Sequence, residues 1–380
     1  MNSRRQSALW LTLILLCAAC GGVCGDGVVD PGEACDAAGD GCDASCHLTG
    51  VAAWTVTRGE PSRTTRAIDV AVDANGQIVV LGTTWPGSDA NANVAGWLLA
   101  LDAAGEERWQ VDVPAPPDDT LFPARVVIGA DASIYYQSDG LIRFDASGAQ
   151  TWVLPDDPGS AVTAIAVTGD AVFVASQEFT GQTPVKLGRY DPDSNELEWA
   201  SVVSDDAPLG FATAIAVAGD TVMAVGRVDA ERWDEFGFSC VAAATGVYVP
   251  CLTDRFAFVA DELGVLRSGD LVMVHTADDV PLFLRRFTRA GEVRWDTQLT
   301  PEGVIQDLVI GPDDTIVVAG RGLRTFTSAG APVWKSEYPQ SDPEGLVSAT
   351  GVAFGPGFLV AVGTEVAQTT VSAWIRKYGD

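Results

Sequence analysis

The sequence predicts an all-β chain: a seven-bladed β-propeller of four-stranded blades, closed by an N-terminal strand and preceded by a small disulfide-rich module. Three observations predict it. A unit of strand, tight turn, strand, loop, strand, turn and Trp recurs seven times along the chain. The Trp residues that end the unit are spaced by about 47 residues, the length of a four-stranded blade. A lone strand, Val51 to Thr57, precedes the first unit and supplies the edge that the last unit lacks.

Composition agrees with that class and excludes others. The chain has 380 residues, of which 47% are apolar, so it can fill a large core and is not disordered over most of its length. Its 40 Gly, 20 Pro and 11 Trp suit short strands and tight turns better than long helices. With 51 acidic side chains against 23 basic ones, the net charge is -28, which argues against nucleic acid as a partner. The two histidines, His47 and His275, lie far apart in sequence. His275 sits within an apolar strand pattern, which points to a packed residue more than to a general base.

At the N-terminus, Arg4 and Arg5 precede the apolar run Ala8 to Leu16, too short to cross a bilayer as a helix and long enough for a secretory signal over residues 1–19. The stretch Leu16-Cys17-Ala18-Ala19-Cys20-Gly21 resembles a bacterial lipobox, with Cys17 at the position where Leu is usual. The resemblance implies cleavage before Cys20, lipidation of Cys20 and, with Gly21 following, an outer-membrane destination reached through the lipid anchor alone. Ordinary cleavage after Ala19, giving a soluble exported protein, is the alternative.

Residues 20–50 form the Cys-rich module. Once Cys17 leaves with the signal and Cys20 takes lipid, six cysteines remain: Cys24, Cys35, Cys42, Cys46, Cys240 and Cys251. An even number in an exported chain suits disulfides. The run Cys24-Gly-Asp-Gly, Gly32-Glu-Ala-Cys35-Asp, Gly39-Asp-Gly-Cys42 and Ser45-Cys46 resembles the Cys-rich repeat of myxobacterial surface proteins, with a shorter middle. A segment this small needs cross-links to fold, and its pairing stays open among three connectivities. Asp26, Asp36, Asp40 and Asp43 are oxygen ligands suited to calcium, or solvated turn carboxylates. No other cofactor is expected.

Residues 51–380 carry the repeat. Its first half reads Ala67-Ile-Asp-Val-Ala-Val-Asp-Ala-Asn-Gly76, then Ala164-Ile-Ala-Val-Thr-Gly-Asp170 and Ala214-Ile-Ala-Val-Ala-Gly-Asp220. Its second half reads Leu101-Asp-Ala-Ala-Gly-Glu-Glu-Arg-Trp109, echoed by Phe144 to Trp152, Tyr190 to Trp199, Phe287 to Trp295 and Phe326 to Trp334. Gly or Asn supplies the left-handed backbone of a short hairpin, Asp accepts turn amides, and Trp offers a flat face to the adjacent unit. The fourth unit lacks its Trp; Cys240 and Cys251 flank Ala244-Thr-Gly246 there and are expected to close a disulfide. Pairing Val51 to Thr57 beside the last strand would hide both terminal edges.

These turns resemble the tryptophan-docking motif of quinoprotein-like propellers, with Ala100, Asp102, Gly105 and Trp109 matching one residue short. That resemblance implies fold alone. The vicinal Cys pair often set against the quinone cofactor is absent from the propeller sequence, so neither cofactor nor catalytic residue is carried over.

The short turns fall on one face of such a ring and the longer connections on the other. On the longer ones the sequence places Trp85, Trp233 and Phe236 with Asp118, Asp119, Asp234 and Glu235, a candidate face for a protein or glycan partner. A uniformly acidic, solvated surface accounts for the same charges. The expected function is a monomeric cell-envelope lipoprotein serving as a binding or scaffolding platform without catalysis. Such a role resembles that of the propeller lipoprotein in outer-membrane protein assembly, whose general form has eight blades. The alternative is a calcium-assisted polysaccharide hydrolase or lyase, which a channel lined by three or more carboxylates would favour.

Overall fold

The computed structural model describes residue 35 and residues 48–379, apart from 61, 88–93, 117–123, 139, 155–159, 179–184, 203–208, 210, 230–231, 250–258, 278–279, 300–304, 339–345 and 368–369. The signal, Cys20, Cys24, Cys42, Cys46, Cys251 and the calcium candidates Asp26, Asp36, Asp40 and Asp43 lie outside the described residues.

The described chain is β-strand throughout, in antiparallel meanders. β1 (Ala52–Arg58) precedes β2 (Arg63–Val72), β3 (Ile78–Pro86), β4 (Ala95–Leu101) and β5 (Glu107–Val113). β6 (Arg125–Ile128), β7 (Ile134–Gln137), β8 (Leu141–Phe144) and β9 (Gln150–Leu154) form a four-stranded sheet, as do β10 (Ser160–Val167), β11 (Val172–Glu178), β12 (Lys186–Tyr190) and β13 (Leu197–Val202). β14 (Phe211–Ala218), β15 (Thr221–Asp229) and β16 (Arg232–Ala242) form a sheet of three. Two more four-stranded sheets follow. One is β17 (Val259–Val265), β18 (Leu271–Ala277), β19 (Val280–Phe287) and β20 (Val293–Gln298). The other is β21 (Asp307–Ile310), β22 (Ile316–Ala319), β23 (Gly322–Phe326) and β24 (Pro332–Glu337). The chain ends with β25 (Leu346–Gly355), β26 (Phe358–Ala367) and β27 (Thr370–Gly379).

The architecture is an all-β propeller built mainly of four-stranded sheets. Its sheet count departs from seven separate, equal sheets. Among the described residues there are five separate sheets, four of four strands and one of three, together with one eight-stranded sheet. The large sheet arises where the two ends of the chain meet. β25, β26, β27 and β1 stand beside β2 to β5, joined by a single parallel bridge from Thr64 to Val371. The three-stranded sheet is counted among the described residues, and 250–258 lie outside them. After β16 the chain turns through Ala243 to Gly246 and its described residues run back beside β16 as far as Val249, with Ala242 N–H donating to Val247 O (2.8 Å) and Val249 N–H to Cys240 O (3.0 Å).

The N-terminal strand takes the place its sequence suggested. β1 pairs antiparallel with β27 from Ala52–Tyr378 to Arg58–Ala373. Arg376 Nε donates to Thr55 Oγ1 (3.0 Å), and Arg58 reaches Glu107 and Gln110 on β5. Packing also extends back beyond Val51. Gly50, at φ 76, lies against the Trp334 ring so closely that a Cβ there would sit 2.8 Å from it. Leu48 and Cys35 are buried in one cluster with Leu323, Tyr338, Trp374 and Tyr378. Cys35 and Cys240 are each disulfide-bonded.

Between sheets, tryptophan does the joining. Five outer-strand Trp residues donate the indole N–H to a carbonyl in the last turn of the next meander: Trp54 to Ala103 (3.1 Å), Trp109 to Ala146 (3.0 Å), Trp152 to Pro192 (3.4 Å), Trp199 to Ala243 (3.0 Å) and Trp295 to Ser328 (3.0 Å). The turns receiving them are held by side chains. Asp102 Oδ1 accepts from the amides of Ala104 and Glu106, and Asp145 Oδ1 from those of Ser147 and Ala149. Where Thr replaces Asp, its hydroxyl takes the second bond: Glu292 N–H donates to Thr288 Oγ1 and Ala331 N–H to Thr327 Oγ1. The indole is thus satisfied as it is covered, which a buried aromatic with a polar edge requires.

Candidate functional site: the central channel

The first strand of each meander lines a central cavity of about 410 Å³, bounded by residues of β2, β6, β10, β14, β17, β21 and β25. The side chains at its waist follow from register. Four residues before Asp73, Gly129, Thr168, Leu266 and Gly311, whose amides close the first hairpins, the chain carries Asp69, Arg125, Ala164, Glu262 and Asp307. A β-bulge precedes this level in five of the lining strands, between Ala67 and Asp69, Val162 and Ala164, Ala212 and Ala214, Ala260 and Glu262, and Ala349 and Gly351. Bulges re-aim a side chain and strengthen twist, which suits strands converging on an axis. The extra residue is often Thr, whose hydroxyl bonds a neighbouring carbonyl: Thr163 to Ala175, Thr213 to Val225 and Thr350 to Ala67.

Arg125 organises the charges. From β6 it reaches Asp307 on β21 (3.4 Å), Asp69 on β2 (3.9 Å) and Glu262 on β17. Asp69 Oδ1 accepts the Val70 amide (2.8 Å) and Oδ2 the Val126 amide on the neighbouring strand (2.8 Å). Asp307 repeats the arrangement, taking the amides of Leu308 (2.8 Å) and of Val352 on β25 (2.7 Å). Both aspartates therefore tie one lining strand to the next.

Their burial is costly. Asp69 is 5% exposed and Asp307 6%. Burial pushes the Asp69 carboxyl up to about 6, with the Asp307 charge adding to the rise and the Arg125 guanidinium opposing it. Burial raises Asp307 as well, again against Arg125. One guanidinium does not offset three carboxylates in a desolvated channel, so the cluster holds protons that water-exposed aspartates would release.

Beside this cluster the channel is open because Ala164 and Ala214 occupy the equivalent positions, while Gly351 packs against the Asp69 backbone, where a Cβ would lie 2.9 Å from Asp69 Cα. Gln137, fully buried on β7 and paired in the ladder with Arg125, lines the same space. Its Nε2 donates to Val162 O (3.3 Å), while its Oε1 has no hydrogen-bond partner. No group of three or more His, Cys, Asp or Glu among the described residues is placed to hold one metal ion.

The residues singled out for partner binding are distributed otherwise. Trp85 is only 6% exposed; it lies within β3, with the Arg66 guanidinium 5.0 Å above its ring, so it is covered and offers no exposed anchor. Trp233, Asp234, Glu235 and Phe236 belong to β16, not to a long loop: β15 and β16 form a hairpin in which Asp229 pairs with Arg232. Asp118 and Asp119 lie outside the described residues. His275 is in β18, opposite Ala260 and Phe283. The channel cluster was missed by sequence reasoning, although a signal existed. Asp69, Glu262 and Asp307 are the acids that interrupt apolar first-strand runs at one fixed distance from a turn.

No known protein family and no curated protein matches the chain. Among solved structures it is similar to a catalytically inactive virginiamycin B lyase from Staphylococcus aureus with quinupristin, at TM-score 0.50 and 11% identity over 84% of this chain and 98% of that one. It is also similar to BamB from Moraxella catarrhalis, at TM-score 0.45 and 16% identity over 80% of this chain and 83% of that one. The likeness to the lyase is one of fold.

Proposed function

We propose that the chain is an exported cell-envelope protein, anchored through lipid on Cys20, whose propeller is a binding or scaffolding platform for a protein or glycan partner. In this reading the eight-stranded sheet counts as two blades, since β2 and β25 both line the channel, and seven units surround it. The observation that carries a non-catalytic reading is the state of the channel acids. Both oxygens of Asp69 and of Asp307 accept backbone amides, and Arg125 draws on all three carboxylates. Acids spent in holding strands together are poorly placed to protonate a leaving group or activate water. Export and anchoring rest on the N-terminal sequence.

The test is capture from envelope extracts by the full-length chain, compared with an Asp234→Asn/Glu235→Gln variant. Capture that falls in the variant supports the platform; equal capture by both removes its proposed face. Palmitate labelling of wild type and Cys20→Ala tests the anchor.

The second reading is a polysaccharide hydrolase or lyase. It draws on one observation, the three carboxylates lining a cavity whose volume is at the lower end of ligand sites, roughly 300–1,000 Å³. Release of new sugar ends by the wild type, lost in Glu262→Gln, would establish it.

A further inference from the structure

We propose that the channel cavity binds a small organic monocation, an ammonium group on a compact apolar body, held by Gln137 and Glu262 beside the Arg125 cluster. The inference stands apart from the platform reading, because it concerns the channel and not the outer face.

Three observations converge on it. The first is charge: Asp69, Glu262 and Asp307 face one guanidinium, leaving the cavity short of positive charge. A desolvated site of that kind gains by taking up a cation in place of protons. The second is Gln137. It is fully buried, lines the cavity and leaves Oε1 unpaired, an acceptor whose burial is costly until a donor arrives. The third is the wall. Ala164 and Ala214 keep the space beside Gln137 open, and Ile165, Ile215 and Leu263 give it an apolar lining. An ammonium donates in three directions and is attached to carbon, so it matches scattered acceptors next to apolar surface better than a metal ion, which needs converging ligands.

The experiment is isothermal titration of the purified full-length chain with n-butylammonium, n-butanol and butyrate at pH 7.5 and 5.0. Butylammonium is expected to bind at pH 7.5, while the isosteric alcohol and the anion do not. Asp69, which titrates at about 6 among Arg125, Asp307 and Glu262, is protonated at pH 5.0; binding there is expected to weaken about tenfold. Gln137→Leu removes the unpaired acceptor without adding charge and is expected to weaken binding about tenfold while remaining folded by circular dichroism. Glu262→Gln is the second variant, read the same way if the first fails to fold. No binding of butylammonium to the wild type at millimolar concentration overturns the proposal. So does equal binding of butanol, or unchanged affinity in a folded variant.

Discussion

Arg125 on β6 reaches across the channel to Asp307 on β21, Nη1 to Oδ1 at 3.4 Å, a contact between residues 182 positions apart. It joins opposite sides of the ring through the axis, where no backbone ladder can run. Removing the guanidinium leaves Asp69, Glu262 and Asp307 facing one another without compensation. Arg125→Met is expected to cost about 3–5 kcal/mol, the usual penalty for breaking a buried ion pair from one side. Urea unfolding measures it, and a loss below 1 kcal/mol would mean that the ring does not depend on this contact.

The same cluster sets a pH dependence. Asp69 titrates at about 6 in the folded chain against an ordinary 3.8, and Asp307 is raised too. The folded state then holds protons that the unfolded chain releases between about pH 4 and 6, so stability falls as pH rises through that window. For Asp69 alone the effect is at most about 3 kcal/mol. Below about pH 4 the sign reverses. Asp145, held below the usual range by the Ser147 hydroxyl, and Asp191, held down by the Ser194 amide, lose stabilising bonds on protonation. Melting temperature should therefore peak near pH 4 and decline towards about pH 6, and Asp69→Asn should flatten that decline.

Two turn substitutions are expected to act in opposite directions. Ala132 holds φ 62, which costs a residue with a Cβ about 1 kcal/mol or more. Ala132→Gly should stabilise by up to about 1 kcal/mol. Gly148 holds φ 84 under the Trp109 ring, where a Cβ would lie 2.9 Å from the indole. Gly148→Ala should destabilise by about 2 kcal/mol or more, through strain and loss of the Trp109 to Ala146 bond. Differential scanning calorimetry of the pair reads both signs at once.

Much of this fold was legible in the sequence because the repeat carries its own assembly chemistry. Asp102, Gly105 and Trp109 announce a hairpin and the surface that the next sheet must supply, and the strand containing Trp54 announces its missing partner. What was not legible is where registers converge. Asp69 and Asp307 look like solvated acids until four-residue offsets from separate turns are aligned. Trp85 looks like a loop aromatic until β3 extends to Pro86 beneath Arg66. The merging of sheets at Thr64 and Val371 leaves no trace in periodicity, since it depends on how two chain ends meet.

Closure by the N-terminus predicts a strong effect of truncation. β1 covers β27, Gly50 seats Trp334, and Leu48 and Cys35 complete a buried cluster. A chain beginning at residue 59 exposes the β27 edge and should aggregate or self-associate where the full chain is expected to stay monomeric, as light scattering would show. A monomeric, equally stable truncation would contradict the closure.

The account as a whole is tested most directly by offering one purified protein both opportunities. Wild type and Glu262→Gln are each incubated with envelope polysaccharide and calcium, and with envelope extract, reading new sugar ends in one arm and retained partner in the other. Both proteins are expected to retain a partner, and neither to release new sugar ends. New ends from the wild type alone would contradict this and make the channel carboxylates catalytic.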